Sequence, residues 1–160
     1  MDLSATHLHL MFNHIPVIGT GFVAIVLGWG LFRHSREITS LGLALLVILA
    51  LVTIPVYLTG EPTADQQEHA AWFNKDRVDD HEEEAERGLI AILVTGAVAL
   101  AAIWLRRGAR PGVPFVTGLA FVGTLVSAGL FALAALDGGK IRHTELRSAD
   151  QVTAPVPPPR

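Results

Sequence analysis

The sequence predicts an all-α integral membrane protein, a four-helix bundle running up-down-up-down. Four apolar runs, residues 15–32, 41–58, 88–105 and 113–136, contain no Lys, Arg, Asp or Glu. A helix rises ~1.5 Å per residue, so runs of about 18 to 24 residues match the ~30 Å hydrocarbon core of a bilayer. The composition agrees: of 160 residues 51% are hydrophobic and 17% charged, with a mean hydropathy of +0.45. The runs also lack the polar residue at every third or fourth position that a soluble, one-sided helix carries.

The first helix is expected over about residues 10–33. Met1-Asp2-Leu3-Ser4 precedes it without a positive n-region, and its apolar core is too long for a cleavable leader, so it is expected to be retained. Pro16 suits a first helical turn with Asn13 or His14 as N-cap. A start near Thr6 would instead place His7, Met11 and His14 on one face. The second helix is expected over 39–58, with Pro55 kinking it near its end. The third, over 80–107, opens Asp79-Asp80-His81-Glu82-Glu83-Glu84. There Asp80 and Glu83 resemble a capping box, Glu83 and Arg87 are spaced for an i,i+4 pair, and the acids suit the positive helix end. The fourth is expected over 112–137, stopped by Gly138-Gly139, after which the chain would turn back and carry Arg142 and His143 over the bundle's mouth. Residues 1–145 form the transmembrane domain and 146–160 a polar, Pro-rich tail. No internal repeat is legible in the residue identities.

Short connections at 33–40 and 106–112 make two antiparallel hairpins, and four spans put both termini on one side. The short loops total +4 and everything on the other side −7, within a net charge of −3. The positive-inside rule counts short loops near helix ends, which places these loops in the cytoplasm. The expected location is the cell (inner) membrane, with N- and C-termini outside, in the periplasm. A charge of −3 without a basic stripe argues against nucleic-acid binding, and the apolar content against disorder. The absence of cysteine removes disulfides, thiolate metal sites, Fe–S clusters and covalent c-type haem.

The histidines are sorted by this topology. His34 falls in a cytoplasmic loop, whereas His7, His9, His14, His69, His81 and His143 fall on the outer side with 14 of the 15 acids. Imidazole and carboxylate together ligate transition metals, and imidazole ligates haem iron. Each histidine also has a plainer reading as an interfacial polar residue, and His69 in its Gln/Glu-rich loop reads best that way. His81 and Glu84, one turn apart, share a face. Tyr57 is either an aromatic-belt residue or a hydrogen-bond donor to a bound group.

The run His9-Leu10-Met11-Phe12-Asn13-His14-Ile15-Pro16 resembles the opening of a family of small bacterial membrane proteins, the domain-of-unknown-function 2231 group. Its members start His-Pro-x-x-x-His-Phe-Pro and end a four-span unit with Gly-Gly and a nearby Arg-His, similar to Gly138-Gly139 and Arg142-His143. Closer relatives carry Tyr-Leu-Thr-Gly-Glu, similar to Tyr57 to Glu61, and a His-Glu-Glu helix start, similar to His81 to Glu83. The resemblance covers most of residues 8–145, and this chain departs from it at Leu10. It implies that His9, His14, His81 and His143 are the histidines that matter.

Two function classes follow. In the first, haem b or a divalent transition metal sits at the outer end of the bundle for electron transfer. Two of His9, His14, His81 and His143 are ligands, Glu84 or Glu61 is a supporting or proton-transferring carboxylate and Arg142 pairs with a haem propionate. Its partners are the lipid bilayer and a quinone or a redox protein on the outer side. In the second, the chain is a non-catalytic anchor or subunit of a larger complex, or a homo-oligomer. Either way it is a redox carrier or subunit rather than a stand-alone enzyme. Transport is disfavoured by the lack of ionisable groups at mid-span. A zinc hydrolase is disfavoured by the lack of His-Glu-x-x-His, and a di-iron bundle by the lack of paired Glu-x-x-His. Glycines at 19, 21, 28, 96, 118, 123 and 129 allow close helix packing or room for a flat ligand.

Overall fold

The computed structural model describes residues 4–108, 110–143 and 145. Its elements are all helices: α1 (Ala5–Phe12), α2 (His14–Phe32), α3 (Arg36–Leu58), α4 (Gly60–Gln67), α5 (Lys75–Arg107) and α6 (Val113–Arg142). Four helical rods are long and apolar enough to cross a membrane, so the expected four-helix membrane bundle is the observed architecture. α2 packs on α3 and α5 on α6 as hairpins, while α3 lies beside α5 and α2 beside α6. The tail at 146–160 lies outside the described residues.

The rods are longer than the apolar runs. α5 has 33 residues, ~50 Å of helix, so some ~20 Å of it extends past a ~30 Å core. The connection at 59–80 is largely helical rather than an open loop. α4 continues almost from the end of α3, and α5 begins at Lys75, where the Asn74 side chain accepts from Arg77 N at 3.1 Å as N-cap. The capping box expected at Asp80 is therefore not used; Asp80 sits inside α5 and pairs with Arg77 at 3.1 Å. The expected Glu83–Arg87 pair is present.

Prolines mark both joints near the terminal end. Pro16 has no N–H for Phe12 O, and Pro62 none for Leu58 O. In each case the chain breaks three residues before the proline, at Asn13 and at Thr59. The helix at the N-terminus thus starts at Ala5, capped by Ser4, and the short α1 packs against α4, where Thr6 Oγ1 donates to Gln66 Oε1 at 2.7 Å. α3 runs through Pro55 and ends at Leu58. Gly138 and Gly139 do not stop α6, which continues to Arg142. A glycine weakens a helix interior by only ~0.5–1 kcal/mol, which packing of a 30-residue helix overrides.

Large apolar side chains face both ways: Ile18, Ile25, Phe32, Phe115 and Leu136 point outward, while the interior combines Leu27, Leu43, Leu46 and Ile92 with small and hydroxyl-bearing residues. Thr20, Thr39, Thr53, Thr95, Thr117, Thr124 and Ser127 are buried, and each hydroxyl donates to the carbonyl four residues back at 2.7–2.9 Å. In an apolar medium an unpaired hydroxyl costs several kcal/mol, so self-pairing lets these small residues sit between helices. Close approach is evident at Gly42 and Gly96, where an added Cβ would lie 3.0 Å from Leu27 Cα and 2.7 Å from Ala50 Cβ.

Burial reveals a repeat that residue identity hides. The buried positions of α2 are Pro16, Thr20, Val23, Leu27 and Gly30; positions 72 further on are Gly88, Ile92, Thr95, Ala99 and Ala102, all buried in α5. In α3, five of the seven buried positions, Thr39, Gly42, Leu46, Leu49 and Thr53, correspond 78 further on to Thr117, Ala120, Thr124, Ser127 and Phe131, all buried in α6; the other two, Leu43 and Ala50, correspond to half-buried Phe121 and Ala128. The two hairpins present the same register to one another with different side chains.

Candidate functional site

The repeat carries the site with it. His9 on α1 and His81 on α5 stand 72 positions apart and make the same contact with the second helix of their own hairpin. His9 Nδ1 donates to the main-chain carbonyl of Val56 at 3.1 Å, and His81 Nδ1 to that of Ala134 at 2.8 Å. Val56 and Ala134 are again 78 apart. Four residues after each carbonyl comes a glycine, Gly60 and Gly138, on which the imidazole rests. An added Cβ would lie 3.5 Å from His9 Cε1 at position 60, and 3.1 Å from both Cε1 and Nδ1 of His81 at position 138.

A carbonyl oxygen only accepts, so Nδ1 of each ring carries a proton; in the neutral ring this tautomer leaves the lone pair on Nε2. Both histidines are half-buried. Thr59 Oγ1 donates to the same Val56 carbonyl at 2.8 Å and lies 3.3 Å from His9 Nδ1, which reinforces the first of the two contacts. The carbonyls lie ~30 Å along the helix axes from the starts of α3 and α6, at the outer edge of a membrane core measured from the hairpin loops. One helical turn on from His9, the buried Asn13 Oδ1 has no hydrogen-bond partner among the described residues.

The other sequence candidates are placed differently. His14 is exposed at the first position of α2. His143 is exposed at the C-cap of α6, where Nδ1 bonds Glu145 Oε1 at 2.9 Å. It lies ~13 Å further along α6 than Ala134, away from the His81 contact. Arg142 stacks its guanidinium on Trp72, 4.4 Å from the ring centroid. The expected gathering of Arg142 and His143 over the bundle's mouth by a turn at the glycines is absent, because α6 continues straight through them. Glu84, like Glu83, is engaged by Arg87. Tyr57 is half-buried, next in α3 to Val56. His7 is exposed and bonded to Ser4 Oγ, and His69 is exposed between α4 and α5.

Among the described residues no three His, Asp or Glu side chains gather as a metal-ligand set. Beyond the histidines, an acidic cavity of about 210 Å³ lies between α4 and α5, with Glu61, Asp65, Glu68, Asp79 and Glu82 in its wall. Sequence reasoning passed over Val56 and Ala134, met Thr59 and Gly60 only as part of the Tyr57 to Glu61 segment, and gave Gly138 the wrong task. The available signal was a His and a Gly at matched places in the two hairpins. Comparison of the chain with protein-family models, curated proteins and solved structures finds no match. The fold and site together define a multi-pass four-helix membrane protein with a paired-histidine end.

Proposed function

We propose that the chain holds haem b at its terminal end through Nε2 of His9 and His81 and passes electrons there. The observation that carries this is the matched Nδ1–H donation to Val56 O and Ala134 O. Metal-bound histidines characteristically donate their other ring N–H in this way, which fixes the tautomer and orients the lone pair. Haem iron needs only one or two protein ligands, whereas a lone transition-metal ion needs about three or more. A pair of histidines without a third ligand therefore favours haem of the two. The unpartnered Asn13 Oδ1 supports a further group at this end. When bound, haem would supply one-electron chemistry; the chain supplies two oriented imidazoles, at a depth open to a membrane quinone and a water-soluble redox protein. In this reading the terminal side faces the periplasm of the inner membrane, and the likeness to the domain-of-unknown-function 2231 group rests on the four segments that hold His9, Gly60, His81 and Gly138.

A second reading has its own observation. The same Nδ1 donations knit α1 to α3 and α5 to α6, which is sufficient work for a histidine in a non-catalytic subunit or anchor. Oxidised and reduced optical spectra of protein purified from haem-replete cells, with elemental analysis, separate the two. The proposal expects a Soret band that is lost in His9→Ala or His81→Ala and kept in His14→Ala and His143→Ala. Colourless, metal-free, folded protein from a mild extraction refutes it, as does a Soret band indifferent to His9 and His81.

A further inference from the structure

The opposite end of the bundle holds a second cavity, of about 180 Å³, whose wall includes His34, Ser35, Arg36, Arg106, Val113 and Pro114. It is built where the end of α2, the start of α3, the end of α5 and the start of α6 converge. Arg106 donates from Nη2 to the main-chain carbonyl of Arg36 at 3.0 Å, which brings two arginines from different hairpins to one cleft. Their like charges repel, and among the described residues neither makes an ion pair. The neighbouring arginines are differently engaged: Arg33 lies over Trp29, 5.9 Å from the ring centroid, and Arg110 over Trp104 at 3.8 Å.

Two helix starts add to this field. Ser35 is the N-cap of α3, and Val113 and Pro114 open α6, so both N-terminal ends border the cleft. Helix N-termini carry unpaired N–H groups and about half a positive charge each; here Ser35 caps Ile38 N, Pro114 has no N–H and Glu37 stands in the first turn of α3, so the arginines supply most of the field. Guanidinium groups match phosphate oxygens in a two-pronged geometry. The cavity is smaller than the ~300 Å³ of ordinary small-molecule pockets, a size that suits a phosphate group rather than a whole nucleotide.

We propose that this cleft binds a phosphate-bearing anion, held by Arg36 and Arg106 between the N-terminal ends of α3 and α6. The phosphate belongs either to the head group of an anionic phospholipid or to a free ion. Basic pockets between membrane helices at the interface are suited to anionic head groups, and the exposed Trp29 and Trp104 mark this end as interfacial. The site is independent of the histidines at the other end.

The test uses the full chain in neutral detergent, with binding followed by thermal unfolding through tryptophan fluorescence and by native mass spectrometry. The probes are phosphatidylglycerol, phosphatidylcholine as the zwitterionic control, and inorganic phosphate. Saturable binding of phosphatidylglycerol or phosphate is expected. Arg36→Gln/Arg106→Gln should lose about tenfold or more in apparent affinity, the scale of a lost charge-assisted hydrogen bond. Arg33→Gln/Arg110→Gln should stay within about twofold, as exposed charges do. A response to phosphatidylglycerol alone identifies the head group; saturation by phosphate with no further gain from lipid identifies the free ion. Equal losses in the two double variants, or binding no stronger than phosphatidylcholine gives, would overturn the proposal. If the glutamine variant does not fold, Arg36→Lys/Arg106→Lys carries the same comparison, since it keeps the charge and loses the two-pronged geometry.

Discussion

Gly138→Ala separates two effects that its neighbour Gly139 shows one at a time. Both glycines lie inside α6, where alanine lowers the conformational entropy lost on folding and stabilises by ~0.5–1 kcal/mol. At position 139 an added Cβ meets nothing within 4 Å, so that gain is the whole expected effect. At position 138 the Cβ would lie 3.1 Å from both Cε1 and Nδ1 of His81, inside the ordinary carbon contact range of ~3.5–4.0 Å. The ring then moves by a few tenths of an ångström, away from the carbonyl that its Nδ1 reaches at 2.8 Å. Weakening that bond costs ~0.5–1.5 kcal/mol, which offsets the helical gain. Gly138→Ala should therefore unfold below Gly139→Ala by about 1 kcal/mol, or roughly 2–4 °C in a chain of this length. In a His81→Ala background the ring is gone and the two alanines should become equivalent, so the coupling energy equals the gap. At Gly60 an added Cβ would stand at an ordinary 3.5 Å from His9 Cε1, so Gly60→Ala should leave the His9 contact intact. Tryptophan-detected melting in one detergent measures all of these. A Gly138→Ala protein that melts at or above Gly139→Ala, or a gap that survives removal of His81, refutes the assigned role of Gly138.

Two further outcomes follow from the packing and the exposed end of α6. Thr124 is fully buried with its hydroxyl turned back onto Ala120 O, so Thr124→Val should change the stability by less than about 1 kcal/mol; Thr124→Leu should cost ~1–3 kcal/mol by overpacking, and the reverse order in a melting series would show that the hydroxyl pairs between helices. Glu145 is held below the ordinary carboxylate range, first by its own backbone N–H and then by His143, so this contact favours the folded chain above the unfolded carboxylate pKa and is lost as pH falls through the folded one. In a carboxyl-carbon NMR titration His143→Ala should move the Glu145 midpoint upward, and an unmoved midpoint would remove His143 as a cause.

Much of the fold was legible because a bilayer imposes a crude rule. The four charge-free runs locate the spans wherever the side chains point, since every residue of a span must be tolerable in hydrocarbon. Boundaries were less legible because polar helix continues beyond the bilayer. The stretch from Lys75 to Asp79, before the expected start at residue 80, is helical through the Asn74 cap and the Lys75–Asp79 pair, which no apolar run announces. Pro16 and Pro62 were visible, yet their consequence, a break three residues upstream in each rod, depends on α1 and α4 packing together outside the core. The histidine count was legible, and their sorting to one end followed from topology. Which two belong together was not: His9, His81, Gly60 and Gly138 all stand in segments likened to the family, but which imidazole reaches which carbonyl and rests on which glycine is a contact across helices. His14 and His143, equally prominent in sequence, are turned outward by the register of their helices.

The sequence alone determined that this chain is a bundle of four membrane-crossing helices, that its acids and most histidines share one end, and that its basic residues crowd the short loops. Hydrophobic run length and charge placement are enough for that, because they answer to the solvent rather than to neighbouring side chains. Only the tertiary structure decided that the two hairpins repeat one burial register, that Gly138 is a seat for an imidazole rather than a helix stop, and that Arg36 meets Arg106 across the hairpins. Each of these is a contact between residues tens of positions apart, set by how helices dock, and a pattern read along one strand of sequence carries no distance between them.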